Sequence, residues 1–381
     1  MIIISLYISQ KYSTGGHKRY MELLNGLVSR GHHIILIKDR IRDLPADEIE
    51  IINLDIPKGF SRNRAFGTAL KQYLKDSSSV STTLDKIDLI FQFGESASYS
   101  LKILKKYLGV PVFIALRNNW VEANKIIRST GKKTPANFLK GLAHTWRDRW
   151  VESQISNISD HLIFQTSYDR DRFLSRQSFP LTYTTVIPNS IRASWLKPKW
   201  KNQNKSKSLK KLLFIGSASP RKGLEVLLKA FGIAREKIPE LNLNILGTID
   251  TELERRLKDE GLGDVIFFCG YSDNPLSYLA EADLLVVPSY YDSFPNTIME
   301  AYHTGTPVIG SDIAGITTML KDPRLLFSPG NAKECADRIL SLVNPETYYE
   351  IRELCHNRAL EFDFDWIEPW EQLILSEMGR K

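Results

Sequence analysis

Two carboxylates eight positions apart, Asp292 and Glu300, bracket what reads as the start of a helix within Ser289–Asp312. The apolar run Leu284–Pro288 before them has the length of a buried strand. The loop that follows carries Asp292, then Ser293, Phe294, Pro295, Asn296 and Thr297. Pro295 suits the first position of a helix, where its fixed φ is already helical and its missing N–H needs no partner. The spacing predicts a helix over Asn296–Thr304 ended by Gly305, and then a second strand at Val308-Ile309. Free N–H groups and the helix dipole favour phosphate at such a helix start. A carboxylate about one and a half turns in, such as Glu300, can accept hydrogen bonds from a vicinal diol like that of a ribose. Open α/β sheets bind ligands at the C-terminal ends of their strands, which is where this unit would sit. Phosphate on the dipole and diol on the carboxylate together describe a site for a nucleotide-linked sugar. The rival reading is an ordinary strand–helix unit with two surface carboxylates, and the length of the pattern argues against it.

Other residues could serve the same chemistry. Strand Leu212–Ile215 leads into Gly216-Ser217-Ala218-Ser219-Pro220-Arg221-Lys222-Gly223. A leaving diphosphate develops negative charge, and a fixed cation such as Lys222 or Arg221 stabilises it directly. A solvated lysine at a helix start is the alternative, slightly disfavoured by the dipole. After the first strand, Gly15-Gly16 lets the backbone approach a ligand closely, and also serves as the turn any strand–helix unit needs. Strand Pro111–Leu116 ends in Arg117-Asn118, either of which could donate to a sugar hydroxyl or a phosphate; an exposed strand-end turn explains them equally well. Gly270-Tyr271 follows another strand, and an aromatic beside a glycine turn is often packing. Asn189, in Ile187-Pro188-Asn189-Ser190, reads as turn chemistry. The literal Asp363-Phe364-Asp365 suggests a divalent metal, but it precedes the last helix, and Asp365 reads better as its cap. No metal site is expected.

At 381 residues the chain is too long for one core and fits two domains. Its 43% apolar and 25% charged residues are those of a soluble globular protein. Three cysteines with no metal spacing imply a reducing compartment without a disulfide framework. No apolar run reaches the length of a membrane span. Met1–Ile8 lacks a basic flank and reads as a first strand rather than a signal peptide. Charge is uneven. Residues 1–190 carry 27 basic and 17 acidic side chains, whereas 191–381 carry 24 and 27. Residues 101–150 alone hold 11 basic and 2 acidic side chains, interleaved with Trp120, Trp146 and Trp150. That mixture suits an anionic membrane surface; a solvated helix pair with tryptophans in the core explains it equally well. No nucleic-acid motif accompanies it.

Short apolar runs alternate with helical patterns along both halves, which predicts parallel, doubly wound sheets. The expected strands are Ile2–Ile8, Ile34–Lys38, Glu50–Leu54, Asp88–Phe93, Pro111–Leu116, His161–Phe164 and Thr184–Ile187, then Leu212–Ile215, Leu241–Leu246, Val265–Phe268, Asp283–Val287, Pro307–Ile309 and Leu325–Phe327. The long basic stretch Val121–Ser159 predicts two helices. The expected division is residues 1–193, a linker at 194–211, a second domain at 212–363, and a terminal helix at 364–381.

The segment around Asp292 resembles the Glu-x7-Glu signature of the family-four (group 1) glycosyltransferases, with Asp292 in place of the first Glu and Glu300 at the second. Ser293-Phe294-Pro295-Asn296 and Gly305-Thr306-Pro307-Val308-Ile309-Gly310-Ser311 share that family's wording. The resemblance is strong from Leu212 to Pro329 and weaker before it. It implies an α/β fold of the GT-B type, with two Rossmann-like domains facing across a cleft and the terminal helix packed back on the first domain. It implies a retaining, metal-independent enzyme that takes a UDP- or GDP-linked sugar as donor and a glycan, a lipid-linked glycan or another hydroxyl as acceptor. It needs no cofactor and works in the cytoplasm or at the inner membrane face, in cell-surface polysaccharide or glycoconjugate synthesis. The resemblance assigns Lys222, with Gly15 and Gly16, to the diphosphate, Glu300 to the ribose, Asp292 to the transferred sugar, and Gly270-Tyr271 to the base. Two departures stand out. Ser217 occupies the place of the family's arginine, and Arg117 or Asn118 that of a histidine common among relatives. Those departures keep a non-catalytic sugar-nucleotide-binding subunit open; a GT-B-shaped epimerase shares the fold and donor but needs further carboxylates in the first domain, which the sequence does not place.

Overall fold

All thirteen apolar runs expected as strands form strands in the computed structural model, which describes residues 1–8, 15–40, 48–56, 62–76, 84, 86–94, 98–117, 119–130, 135–191, 209–248 and 251–379. The first seven are β1 (Ile2–Tyr7), β2 (His33–Asp39), β3 (Glu50–Leu54), β4 (Leu89–Phe93), β5 (Val112–Leu116), β6 (His161–Phe164) and β7 (Thr184–Val186). They make one parallel sheet in the order β3-β2-β1-β4-β5-β6-β7. The other six are β8 (Lys211–Ile215), β9 (Asn242–Leu246), β10 (Ile266–Gly270), β11 (Leu284–Val287), β12 (Val308–Ser311) and β13 (Leu326–Phe327). They make a second parallel sheet in the order β10-β9-β8-β11-β12-β13. The strands read as continuous apolar runs because helices cover both faces. Ile34–Ile37 and Leu284–Val286 are accordingly buried throughout. In each sheet the order reverses beside the first strand, between β1 and β4 and between β8 and β11. Such reversal points are where doubly wound sheets open a crevice for ligands.

The chain divides into two compact units, one of residues 1–121, 142–188 and 365–381, the other of residues 122–141 and 189–364. The expected linker lies outside the described residues as far as Ser208. Two helices fill the long basic stretch, Trp120–Thr130 and Pro135–Ile158.

In the first unit the terminal helix Glu368–Met378 is held by two buried tryptophans. The rings of Trp366 and Trp370 meet edge to face at 5.7 Å. The Arg19 guanidinium lies 5.0 Å from the Trp366 ring, and that of Arg117 lies 4.9 Å from Phe93 and 5.8 Å from Trp370. Arg30 adds ion pairs to Asp365 and Glu371. Asp365 stands two places before the N-cap residue, Ile367, and accepts from the backbone N–H groups of Ile367 and Glu368.

In the second unit the helix Asn296–Thr304 ends at Gly305 in the left-handed conformation, as its sequence predicts. Pro295 stands one place earlier than expected. It is the N-cap residue, with extended ψ of 115°. Where the chain enters this unit, Asn189–Ile191 is pinned to residues 362–364. The Ser190 hydroxyl reaches the carbonyls of Phe362 and Phe364, and the Ile191 N–H donates to Phe362 O. Among the described residues no helix is long and apolar enough to cross a membrane.

Candidate active site

β8 and β11 pair through Leu212 with Leu284 and Leu213 with Leu285, so the loops leaving their C-terminal ends start side by side. The β8 loop closes with a single 3₁₀ turn at Pro220–Lys222. Gly223 follows at φ 69°, and a Cβ there would lie 1.9 Å from the Pro288 carbonyl oxygen. Only glycine lets this loop lie flat on the end of β11. The contact is tied by Tyr290 N–H donating to Arg221 O at 2.8 Å and by the Arg221 guanidinium donating to Tyr291 O at 2.9 Å. On the far side, Gly315 of the helix Ala314–Leu320 presses on the same loop. A Cβ there would lie 2.0 Å from the Asp292 carbonyl oxygen. The loop is thus held by close backbone contacts at Pro288 and at Asp292-Ser293.

This packing brings Arg221, Lys222 and Asp292 together. Lys222 Nζ donates to Asp292 Oδ2 at 2.7 Å, and Arg221 Nη1 lies 3.6 Å from the same oxygen. Burial alone would push the Asp292 carboxyl up. The two cations, the Lys222 hydrogen bond and one from the Phe294 N–H outweigh it and hold Asp292 below the usual carboxylate range. Two cations against one carboxylate leave an excess positive charge in a partly desolvated crevice, which suits an anion.

The helix Asn296–Thr304 starts beside this cluster. Among the described residues Thr166, Asn331 and Asn344 cap their helices through side chains, whereas Pro295, like the residues before the helices at Leu224, Pro275 and Ala314, supplies no such cap. Its first-turn N–H groups are left for a ligand or solvent. Glu300 is half-buried one turn in, on the face shared by Asn296 at i−4 and Thr297 at i−3, while Ile298, Met299, Ala301 and Tyr302 face the core. Ser293 and Phe294 are buried; the Ser293 hydroxyl pairs with Tyr291 Oη at 2.6 Å.

Asn189 is a residue whose part the sequence did not disclose. It is fully buried, and its Nδ2 donates to Asn296 Oδ1 at 2.7 Å. The side chain at the helix start is therefore anchored from the chain entry point, a long-range contact that turn propensity cannot reveal.

The remaining expected residues are dispersed. Ser217 is exposed early in the β8 loop. Gly270, at φ 66°, ends β10, two strands from β8; the exposed Tyr271 follows it, and Tyr271 Oη donates to Asp273. Gly15 and Gly16 open the helix Gly15–Ser29 after β1 in the other unit. Asn118 lies outside the described residues. Arg117 is not the exposed strand-end arginine that one reading allowed. Its guanidinium is buried against Phe93 and the two tryptophans, because a weakly hydrated planar cation stacks well on aromatic faces.

Known proteins resemble this arrangement along the whole chain. Residues 14–195 match the family described as Glycosyltransferase Family 4, and residues 197–361 match Glycosyl transferases group 1. A D-inositol 3-phosphate glycosyltransferase of Paenarthrobacter aurescens (strain TC1) is 27% identical over 277 residues, 68% of this chain and 65% of that protein. A poly(glycerol-phosphate) alpha-glucosyltransferase of Bacillus subtilis (strain 168) is 28% identical over 167 residues, 42% of this chain and 25% of that protein. The chain thus matches less than two thirds of the length of these relatives. Among solved structures, sucrose-phosphate synthase from Thermosynechococcus elongatus superposes with a TM-score of 0.79 at 20% identity, covering 100% of both chains. Anabaena HepE in complex with UDP and glucose gives 0.73 at 17% identity, covering 98% of both. The fold is GT-B, and the chain belongs to the group 1 glycosyltransferases.

Proposed function

We propose that this glycosyltransferase moves a sugar from a nucleotide-linked donor to a hydroxyl acceptor, with retention of anomeric configuration and without a metal ion. The observation that carries the proposal is the Arg221–Lys222–Asp292 cluster at the β8/β11 reversal point, beside an uncapped helix start that bears Glu300. Lys222 and Arg221, with the N–H groups of Asn296 and Thr297, would hold the diphosphate. Glu300 would hold the ribose hydroxyls, and Asp292 the hydroxyls of the transferred sugar. Arg221 stands where it can supply the second cation that Ser217 lacks. HepE, which has the same fold, has been crystallised with UDP-glucose, and several relatives are named for glycosyl transfer to phosphate-bearing acceptors. These names favour UDP-sugars as the first donors to try and a polyol- or phosphate-containing acceptor.

In the reaction the acceptor hydroxyl attacks the anomeric carbon on the face the diphosphate leaves. The bond from that carbon to the diphosphate oxygen breaks as the new glycosidic bond forms, and the departing diphosphate takes the hydroxyl proton. The protein contributes orientation and charge stabilisation, and no side-chain nucleophile is needed. The three free cysteines fit a cytoplasmic setting, where nucleotide sugars are available.

A second reading, a subunit that binds the donor without turning it over, is favoured by one observation, the serine at position 217. Both readings require donor binding, so a thermal-shift screen over UDP, GDP and their sugar conjugates comes first. A ligand at about a hundred times its Kd should stabilise the protein by about 2.7 kcal/mol and raise Tm by a few degrees. No shift with any nucleotide would contradict both readings. Asn189→Ala is expected to weaken binding of the stabilising nucleotide about fivefold, because one buried hydrogen bond that orients Asn296 is lost. Calorimetric titration checks this, and an unchanged affinity would leave Asn189 a purely local fastener.

A further inference from the structure

The helix Pro135–Ile158 turns its aromatic side the wrong way for a buried helix. At 3.6 residues per turn, Asp148, Glu152, Ile155 and Ser159 share one side and are buried, the last just beyond the helix end. Trp146, Trp150 and Asn157 lie on the opposite side. Trp146 is 80% exposed and Trp150 57% exposed. Tryptophan is on average highly buried, and two exposed ones at i and i+4 form a continuous apolar stripe. Arg147 and Arg149 flank the stripe on either side, and both are exposed.

The same side of the helix continues into a cluster of lysines. Gln154, Asn157 and Ile158 wall a cleft of about 390 Å³ with Lys102, Lys105 and Lys106 of the helix Ser98–Leu108. Lys105 is structural: its Nζ donates to Ile158 O and pairs with Asp160 at 2.8 Å, which neutralises that carboxylate. Lys102 and Lys106 are exposed, and Tyr107 beside them is 51% exposed. From Trp146 to Asn157 the stripe runs roughly 16 Å along the helix. Tryptophan at one end, lysines at the other and arginines along the edges form a surface on which the aromatic bodies can enter an interface while the cations meet negative charge.

We infer that this surface docks the protein on an anionic lipid bilayer. Charge complementarity decides the occupant. The exposed cations Lys102, Lys106 and Arg149 supply that charge, while Arg147, also exposed, pairs with the buried Asp148 at 3.2 Å. Tyrosine and tryptophan settle at headgroup depth, where one part of the ring system is apolar and the other wet. The sequence alone left tryptophans in a core as an equal alternative, and the exposure of Trp146 and Trp150 removes it for these two. Docking would place the enzyme on the surface that carries lipid-linked acceptors, but the inference stands apart from the proposed reaction.

The test uses the full chain with vesicles of phosphatidylglycerol and phosphatidylcholine, and with phosphatidylcholine alone. Wild-type protein should sediment with the anionic vesicles at low salt and be released at high salt. Its tryptophan emission should shift to the blue, and brominated lipid should quench it. Trp146→Ser/Trp150→Ser should abolish the quenching and weaken partitioning about tenfold. Lys102→Glu/Lys106→Glu/Arg149→Glu should weaken it about a hundredfold or more. Because all five side chains are exposed, Tm should stay within a few degrees in both variants, which separates lost docking from lost folding. Wild-type protein that ignores anionic vesicles at low salt overturns the inference. So does partitioning unchanged in both variants. A concentration-dependent dimer that Trp146→Ser/Trp150→Ser dissolves, without vesicle binding, would also overturn it and make the stripe a contact between copies of the chain.

Discussion

Lys222→Ala is expected to lower kcat about a hundredfold or more while donor KM moves far less. Charge on the diphosphate grows as the glycosidic bond breaks, so a fixed cation is worth more in the transition state than in the bound ground state. Lys222 is held for that purpose. Its Nζ is anchored at 2.7 Å on Asp292, whose loop is clamped between Gly223 and Gly315. The substitution has a second consequence, because the buried Asp292 keeps only the more distant Arg221 at 3.6 Å. That imbalance is read by Tm, whereas the lost cation is read by kcat at saturating donor. The wild-type rate should persist in EDTA. Loss of activity in EDTA with recovery in Mn²⁺ would contradict the metal-free mechanism.

Glu300→Ala should weaken nucleotide binding at least tenfold. Two charge-assisted hydrogen bonds to a ribose diol contribute about 1.5–3 kcal/mol each, and both vanish. Tm should barely move, because Glu300 sits on the helix face away from Ile298 and Tyr302 and its truncation opens no core cavity. A 2′-deoxy nucleotide sharpens the measurement. Wild-type protein should discriminate against it, and Glu300→Ala should bind the ribo and deoxy forms alike. Equal calorimetric affinity of wild type and variant for the ribonucleotide would remove Glu300 from the site.

Much of this architecture is legible before any coordinates. Runs such as Leu212–Ile215 and Leu284–Val287 are short, apolar and bounded by polar turns, and that pattern fixes buried parallel strands. The helix Asn296–Thr304 is announced by proline at one end and glycine at the other. What the sequence hides is contact at a distance. Asn189 looks like a turn residue, and its bond to Asn296 spans 107 positions. Gly315 looks like a weak point in a helix, and its value lies in the Asp292 carbonyl it lets approach. Arg117 reads as a ligand or an exposed turn, because nothing local shows that Trp366 and Trp370 return from the far end of the chain to stack around it. Ser217 shows the reverse. The missing arginine is plain in the sequence, but only the structure shows Arg221 beside Asp292. Binary pattern and caps are local, whereas the charged cluster depends on which strands become neighbours, and strand order follows from the packing of the whole sheet.

The central claim is that the Arg221–Lys222–Asp292 cluster and Glu300 turn over a nucleotide sugar. The most direct measurement incubates the protein in EDTA with radiolabelled UDP- and GDP-sugars and polyol, glycan and glycolipid acceptors, then follows the label. The account predicts label in a glycosylated acceptor with the donor's anomeric configuration, slow release of free sugar when no acceptor is present, and loss of both in Lys222→Ala. A donor that is bound and recovered unchanged, or recovered as its epimer, would contradict it.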